Sequence, residues 1–276
     1  MLNLGVCLHH TLGDLAEIFR AVSGREARLK NSHLWQPTKF IRTPRGLRAS
    51  RDITRVARCS RLVGDRLARA CEGALQTHAR GRLLDLGCGH VPLYETYKER
   101  VSENICVDWE NTLHVNPHLD YILDLTQPLP LERASFDTVL LTDVLEHIPE
   151  PSGLVSEISR LLRPAGKLIL TVPFLYWLHE EPHDFYRYTR FALERFCKLN
   201  ELQVLELNAY GGLPEVFFDL AAKCADSLPR PVGSVLTPVC TFTSRLCSFA
   251  PVRKLSSWTS YSFPLGYLLV AQKKIS

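Results

Sequence analysis

The stretch Gly81-Arg82-Leu83-Leu84-Asp85-Leu86-Gly87-Cys88-Gly89 decides the fold. Arg82–Leu86 is a short apolar run of strand length, and it ends in an acid and two glycines separated by one residue. Glycine tolerates a tight turn and lets the backbone come close to a bound molecule. In open α/β sheets such a turn sits beyond the carboxyl ends of the strands, at the point where strand order reverses, and ligands bind there.

Outward from this turn, apolar runs alternate with amphipathic stretches. Strands are expected at 104–107, 121–123, 138–141, 167–172, 203–207 and 267–272, with helices at 153–162 and from Thr189 onward. Alternation of this kind implies parallel strands with right-handed crossovers. Asp108, Asp124 and Asp143 each follow a strand, as Asp85 does. Asp108 stands where a carboxylate accepts hydrogen bonds from both ribose hydroxyls, and Asp124 where one meets an adenine amino group. Taken singly, each is a helix cap or a solvated loop acid more often than a ligand contact. The series of four is harder to assign to solvation.

These segments resemble the class I methyltransferases that use S-adenosylmethionine (SAM), of the type-11 kind. Leu83-Leu84-Asp85-Leu86-Gly87-Cys88-Gly89, Val107-Asp108-Trp109, and the runs 136–151 and 161–173 carry the resemblance, which covers roughly residues 80–200. It implies a Rossmann-like seven-stranded α/β sheet whose last strand is antiparallel, with SAM as cofactor. Asp85, Gly87, Cys88 and Gly89 would then line its methionine end, Asp108 and Trp109 its ribose and adenine. Asp124 and Leu125 would bracket the adenine edge, with Asp143 and Val144 near the sulfonium. His147 lies in the recurring Leu-Glu-His segment and is a candidate substrate contact. The third glycine of the usual motif is absent. His90-Val91-Pro92-Leu93-Tyr94 follows Gly89, and Pro92 at that place argues against a dinucleotide fingerprint.

A second cluster, Glu181-Pro182-His183-Asp184-Phe185-Tyr186-Arg187-Tyr188-Thr189, follows the fifth strand, where acceptors enter this fold. His183 beside Asp184 reads as a general base with an acidic neighbour, and Tyr186 and Arg187 as substrate contacts, Arg187 for an anionic group. The bland alternative, a packed aromatic loop in which His183 caps the next helix, is equally open. Similar segments occur in bacterial methyltransferases of glycan and small-molecule pathways.

Four zones result: an arginine-rich helical extension (1–78), the SAM-binding core (79–212), a helical insertion or lid (213–260), and the last strand of the core (261–276). In the first, Ile53, Val56, Val63, Leu67 and Ala70 mark an apolar helix face, and arginines fill much of the rest. That is a solvated face or, less commonly, a phosphate-binding one. The insertion, with Phe217, Phe218, Phe242, Phe249 and Trp258, is expected to cover the sheet, to make a homodimer contact, or to touch a membrane peripherally.

A net charge of +4 over 276 residues gives no case for nucleic acid. The run Thr142-Asp143-Val144-Leu145 also lacks the Pro-Pro-aromatic pattern of base-amine methylation. Nine scattered cysteines without a Cys-x-x-Cys pair suit free thiols in a reducing cytoplasm, and no metal is expected from the cysteine and histidine spacings. The N-terminus has no basic, then apolar, leader pattern. The expected activity is methyl transfer to a small-molecule, glycan or lipid-linked acceptor, at oxygen. The rival reading is a SAM-binding regulatory or scaffolding protein without catalysis.

Overall fold

The computed structural model describes residues 35–110, 118–229 and 231–275, so the expectation of a helical extension over residues 1–34 lies outside them. Nine strands are described: β1 (Phe40–Thr43), β2 (Gly46–Ala49), β3 (Gly81–Leu86), β4 (Val101–Asp108), β5 (Tyr121–Ile122), β6 (Phe136–Thr142), β7 (Leu162–Pro173), β8 (Leu202–Tyr210) and β9 (Gly266–Lys273). The helices are α1 (Arg61–His78), α2 (Pro151–Leu161), α3 (Arg190–Leu199), α4 (Leu213–Ser227), α5 (Val232–Thr243) and α6 (Ala250–Thr259).

Strands β3 to β9 form one seven-stranded sheet in the order β5-β4-β3-β6-β7-β9-β8. β3 pairs in parallel with both β4 and β6, while β9 runs antiparallel between β7 and β8. This is the Rossmann-like methyltransferase sheet expected from the sequence. The order reverses at β3, since the chain first travels outward through β4 and β5 and then returns to β6. The crevice beyond β3 and β6 is therefore the ligand position of this topology.

Apolar residues on opposite faces of the sheet build the core. Leu84, Leu86, Val139, Leu141 and Leu170 point to the α2–α3 side, with Ile158 and Leu193. Leu83, Leu140, Ile169, Leu268 and Val270 point to the α1 side. The alternation along β3 and β6 is the period of two expected where each face is covered by its own layer. Thr189 caps α3, its hydroxyl accepting from the Ala192 amide, and Pro151 opens α2 at a position that needs no amide donor.

The region before β3 differs from expectation. Residues 40–49 are a β-hairpin, and the helix begins at Arg61 after a 3-10 turn at Arg58–Ser60. Its buried face is Gly64, Leu67, Ala68, Cys71, Ala74 and Leu75, so Ile53 and Val56 precede the helix altogether, and Ile53 is exposed. The stripe of apolar residues at helical spacing had run through a turn because periodicity alone does not register Asp52, whose carboxylate accepts from the Thr54 amide and hydroxyl. The arginines of this region meet acids: Arg51 with Asp65 at 2.6 Å and Arg66 with Glu215 at 2.7 Å.

The stretch 213–260 is helical as expected. Glu215, fully buried, gathers the Gly212 amide (3.0 Å), the Ser256 hydroxyl (2.6 Å) and Arg66, and so ties α4 to α6 and to α1. No helix among the described residues is long and apolar enough to cross a membrane.

Candidate active site

Two loop systems meet at the carboxyl ends of the strands. On the β3 side, Gly87 (φ +67°) and Gly89 (φ +49°) turn the chain. The Gly87 and Cys88 amides donate to Val107 O (2.8 and 3.1 Å), which fastens the turn to β4. A Cβ at Gly87 would lie 2.4 Å from a Val144 methyl, so only glycine lets this turn approach the loop after β6. A Cβ at Gly89 would meet nothing within 4 Å, so that glycine faces open space. Where the third glycine of the motif is missing, Val91 itself adopts φ +50° and is buried, its carbonyl accepting from Trp35 Nε1 at 3.1 Å. A β-branched residue rarely takes this conformation; here packing and hydrogen bonds impose it.

Asp108 ends β4. Its Oδ2 accepts from the Gly89 amide and its Oδ1 from the Trp109 amide, both at 2.9 Å, which aims the carboxylate along the rim of the crevice. Asp85 is buried at the end of β3, and burial pushes its carboxyl up to about 8, with a weak hydrogen bond from Tyr97 (3.4 Å) opposing. A buried carboxyl in that state favours a cationic neighbour when ionised. Asp143 stands at φ +52°, held by a 2.9 Å hydrogen bond from the Thr171 hydroxyl. Asp124 is exposed, and its Oδ1 accepts from the Thr126 amide and hydroxyl (2.9 and 2.7 Å), while Leu125 is buried in the core.

The second system runs from β7 to α3. Arg187 donates to Asp184 Oδ1 (2.6 Å) and Oδ2 (2.7 Å), and to the carbonyls of Tyr176, Trp177 and Tyr186. Its guanidinium is thus engaged within the loop. Asp184 has a further neighbour there. Its carboxylate accepts from the His179 amide (3.0 Å) and lies 3.2 Å from His179 Nδ1. Burial alone would raise the Asp184 carboxyl, but Arg187 and the His179 amide bring it down to about 2. The sequence-adjacent pair His183–Asp184 is therefore not the pair the fold assembles; neighbours along a loop need not face the same way.

His183 is exposed, with its ring edge-on to Trp109 at a centroid distance of 5.2 Å. That contact joins the end of β4 to the loop between β7 and α3. His147 Nδ1 stands 3.0 Å from the His183 carbonyl, and Tyr186 donates to Pro149 O at 2.9 Å. Glu146 is fully buried, and its carbonyl accepts from the Phe185 and Tyr186 amides (2.9 and 3.3 Å). Burial lifts its carboxyl well above the usual range, with Asp143 adding to the effect.

Sequence reasoning missed Glu146, Tyr176 and His179. Tyr176 carries the Lys223 ammonium 3.6 Å from its ring centroid, and Lys223 is paired with Asp219 inside α4. The insertion therefore rests on the loop between β7 and α3. The Leu-Glu-His signature pointed at His147 alone, and nothing local marks His179 as its neighbour.

With this geometry in place, known proteins resemble the chain over part of its length. Residues 84–170 match the family profile described as "Methyltransferase domain". The matched segment runs from within β3 to within β7 and makes up under a third of the chain. The ubiquinone biosynthesis O-methyltransferase of Xanthomonas euvesicatoria pv. vesicatoria (strain 85-10) is 31% identical over 103 residues, covering 34% of this chain and 43% of that protein. The chain thus spans less than half the length of this relative. Among solved structures, a SAM-dependent methyltransferase from Archaeoglobus fulgidus is similar with a TM-score of 0.52 at 17% identity, covering 78% of this chain and 97% of that one. A Haemonchus contortus phosphoethanolamine N-methyltransferase 2, solved with SAM, gives 0.51 at 17% identity over 82% of this chain and 59% of that one. At such identities the likeness concerns the methyltransferase fold.

Proposed function

We propose that this methyltransferase domain moves a methyl group from SAM to an oxygen of a small-molecule acceptor, with glycan or lipid-linked compounds within the same class. The observation that carries the reading is the juncture of two surfaces. Gly89 and Asp108 line an open cradle, and Trp109 at its rim touches His183 of the acceptor loop. Its match to a ubiquinone biosynthesis O-methyltransferase supports oxygen as the accepting atom.

The residues present fit the cofactor. Gly87 and Gly89 leave room where side chains would intrude, Asp108 retains lone pairs for two vicinal hydroxyls, and buried Asp85 suits a cationic group. Asp143 and Val144 flank the turn on the β6 side, where the sulfonium end would lie, and the backbone at Asp124–Leu125 would border the adenine. When bound, SAM supplies a methyl group already activated by its sulfonium. The chain's own tasks are then to hold the acceptor in line, to exclude water and, for a hydroxyl acceptor, to remove a proton. His183 is the group for the last task, with His147 and Tyr186 as acceptor contacts. The insertion, resting on Tyr176 through Lys223, bounds the acceptor side. Its exposed Phe217, Phe242, Phe249 and Trp258 would serve an apolar acceptor, a second copy or a membrane surface.

The test is thermal and chemical together. SAM and its demethylated product should raise the melting temperature, and labelled SAM incubated with fractionated extract should pass its label to small molecules. No stabilisation at millimolar ligand would refute the reading. Label entering protein or nucleic acid would overturn the acceptor class.

A further inference from the structure

We propose that Glu146, His147 and His179 form a binding site for a first-row divalent transition-metal ion, best matched by Zn2+, on the acceptor side of the domain. Among the described residues these three bring one ligand atom each within 4.8 Å of one another. Glu146 Oε1 lies 3.8 Å from His147 Nε2 and 3.9 Å from His179 Nε2. Two donors on one tetrahedral zinc ion stand about 3.4 Å apart, so closure on these two edges asks for roughly half an ångström.

The buried carboxylate is the independent observation. Glu146 is wholly enclosed, and neither of its side-chain oxygens has a hydrogen-bond donor. Buried polar groups are otherwise satisfied, and an orphan carboxylate pointing between two imidazoles is a costly arrangement unless a cation completes it.

The imidazoles are set for ligation. His147 Nδ1 faces the His183 carbonyl at 3.0 Å, which only a donor can satisfy, so the neutral ring keeps its lone pair on Nε2, toward Glu146. His179 Nδ1 is 3.2 Å from Asp184 Oδ2, a close contact rather than an aligned hydrogen bond, and Arg187 fixes that carboxylate from its other side. A carboxylate or carbonyl behind each ligating histidine is the outer shell that orients metal ligands. Glu180 Oε2, on the solvent side, is 3.8 Å from His147 Nε2.

Two imidazoles and one carboxylate favour zinc and its neighbours over magnesium or calcium. Three protein ligands with an open side is the pattern of zinc sites that bind an exchangeable oxygen. His147 is joined through the His183 carbonyl to the residue whose ring meets Trp109. Resting on the function proposed above, the ion would take an acceptor hydroxyl as its further ligand and make its proton easier to lose.

The experiment uses the full chain, stripped with chelator and shown to remain folded by circular dichroism. It is titrated with Co2+, read by visible absorption, and with Zn2+ or Mg2+, read by thermal shift. One Co2+ per chain with ligand-field bands, and stabilisation by Zn2+ but not Mg2+, is expected. His179→Ala and Glu146→Gln should each weaken Co2+ binding by at least about tenfold while keeping a cooperative melt. Absence of saturable binding to folded wild type overturns the proposal, as does undiminished binding in both His147→Ala and His179→Ala. SAM-induced stabilisation measured on the metal-free chain keeps the two readings apart. Co2+ bound through these residues without any SAM shift sinks the transfer reaction and leaves the metal site standing.

Discussion

The β3–β4 side and the β7–α3 side of the cleft are built on different logics. The first uses backbone: two glycines at positive φ, amides closed onto Val107, and one carboxylate that accepts from two main-chain donors. The second uses side chains from distant segments: Arg187 on Asp184, Lys223 on Tyr176, His179 beside Glu146. A backbone cradle suits one cofactor and depends on local spacing. A side-chain cluster can be rebuilt for a new acceptor without touching the cradle.

The widest gap between the two sides should appear with Asp108→Ala. It is expected to weaken SAM by about a hundredfold or more in calorimetry, since two charge-assisted hydrogen bonds are lost, and to leave the acceptor loop unaltered. A variant that binds SAM normally would break the comparison. Glu215→Ala should come next, at about 3 kcal/mol in urea unfolding, because Arg66 would lose its buried counter-charge. Arg187→Ala acts on the other side: a tenfold or greater fall in kcat is expected with SAM affinity within about twofold, since five hydrogen bonds that shape the loop vanish. Equal losses in both parameters would erase the distinction.

Asp85→Asn sharpens the contrast through pH. The native carboxyl holds a proton up to about pH 8, and the unfolded one releases it near pH 4, so wild-type stability falls as pH rises through that window. The asparagine variant, free of that burden, should melt a few degrees higher at pH 8 without ligand and bind SAM more weakly. Smallest of all, Gly89→Ala should cost about 1 kcal/mol of stability from its positive φ alone. It should nonetheless reduce SAM affinity by a larger factor than that cost implies. Unchanged affinity would mean that the open space there is not the cofactor's.

The same division explains what the sequence made legible. Leu84–Gly89, Asp108 and Asp143 could be read because each follows its own strand, so a one-dimensional pattern maps directly onto a sheet edge. The seven strands and Thr189 at the start of α3 were readable for the same reason. The hairpin 40–49 was not, because its apolar positions, Phe40, Leu47 and Ala49, are few and pack against a helix that begins only at Arg61. His183 and Asp184 are neighbours in the chain, yet the fold sets the Asp184 carboxylate against His179, which no local pattern announces. Glu146, His179 and Tyr176 acquire meaning only when β6, β7 and α4 come together.

Glu215 bears on how this protein could be cut or grafted. Beside it, Val216 belongs to the apolar layer that covers the sheet, together with Leu67, Leu75 and Tyr210. A truncation at residue 213 would strip a wall from the core and remove the Glu215 partner of Arg66, whereas a break between α4 and α5 would keep that pair and lose only the Ser256 and Cys247 contacts to it. The unit that can be exchanged between relatives therefore begins after Ser227, some fifteen residues later than the change in sequence character suggests.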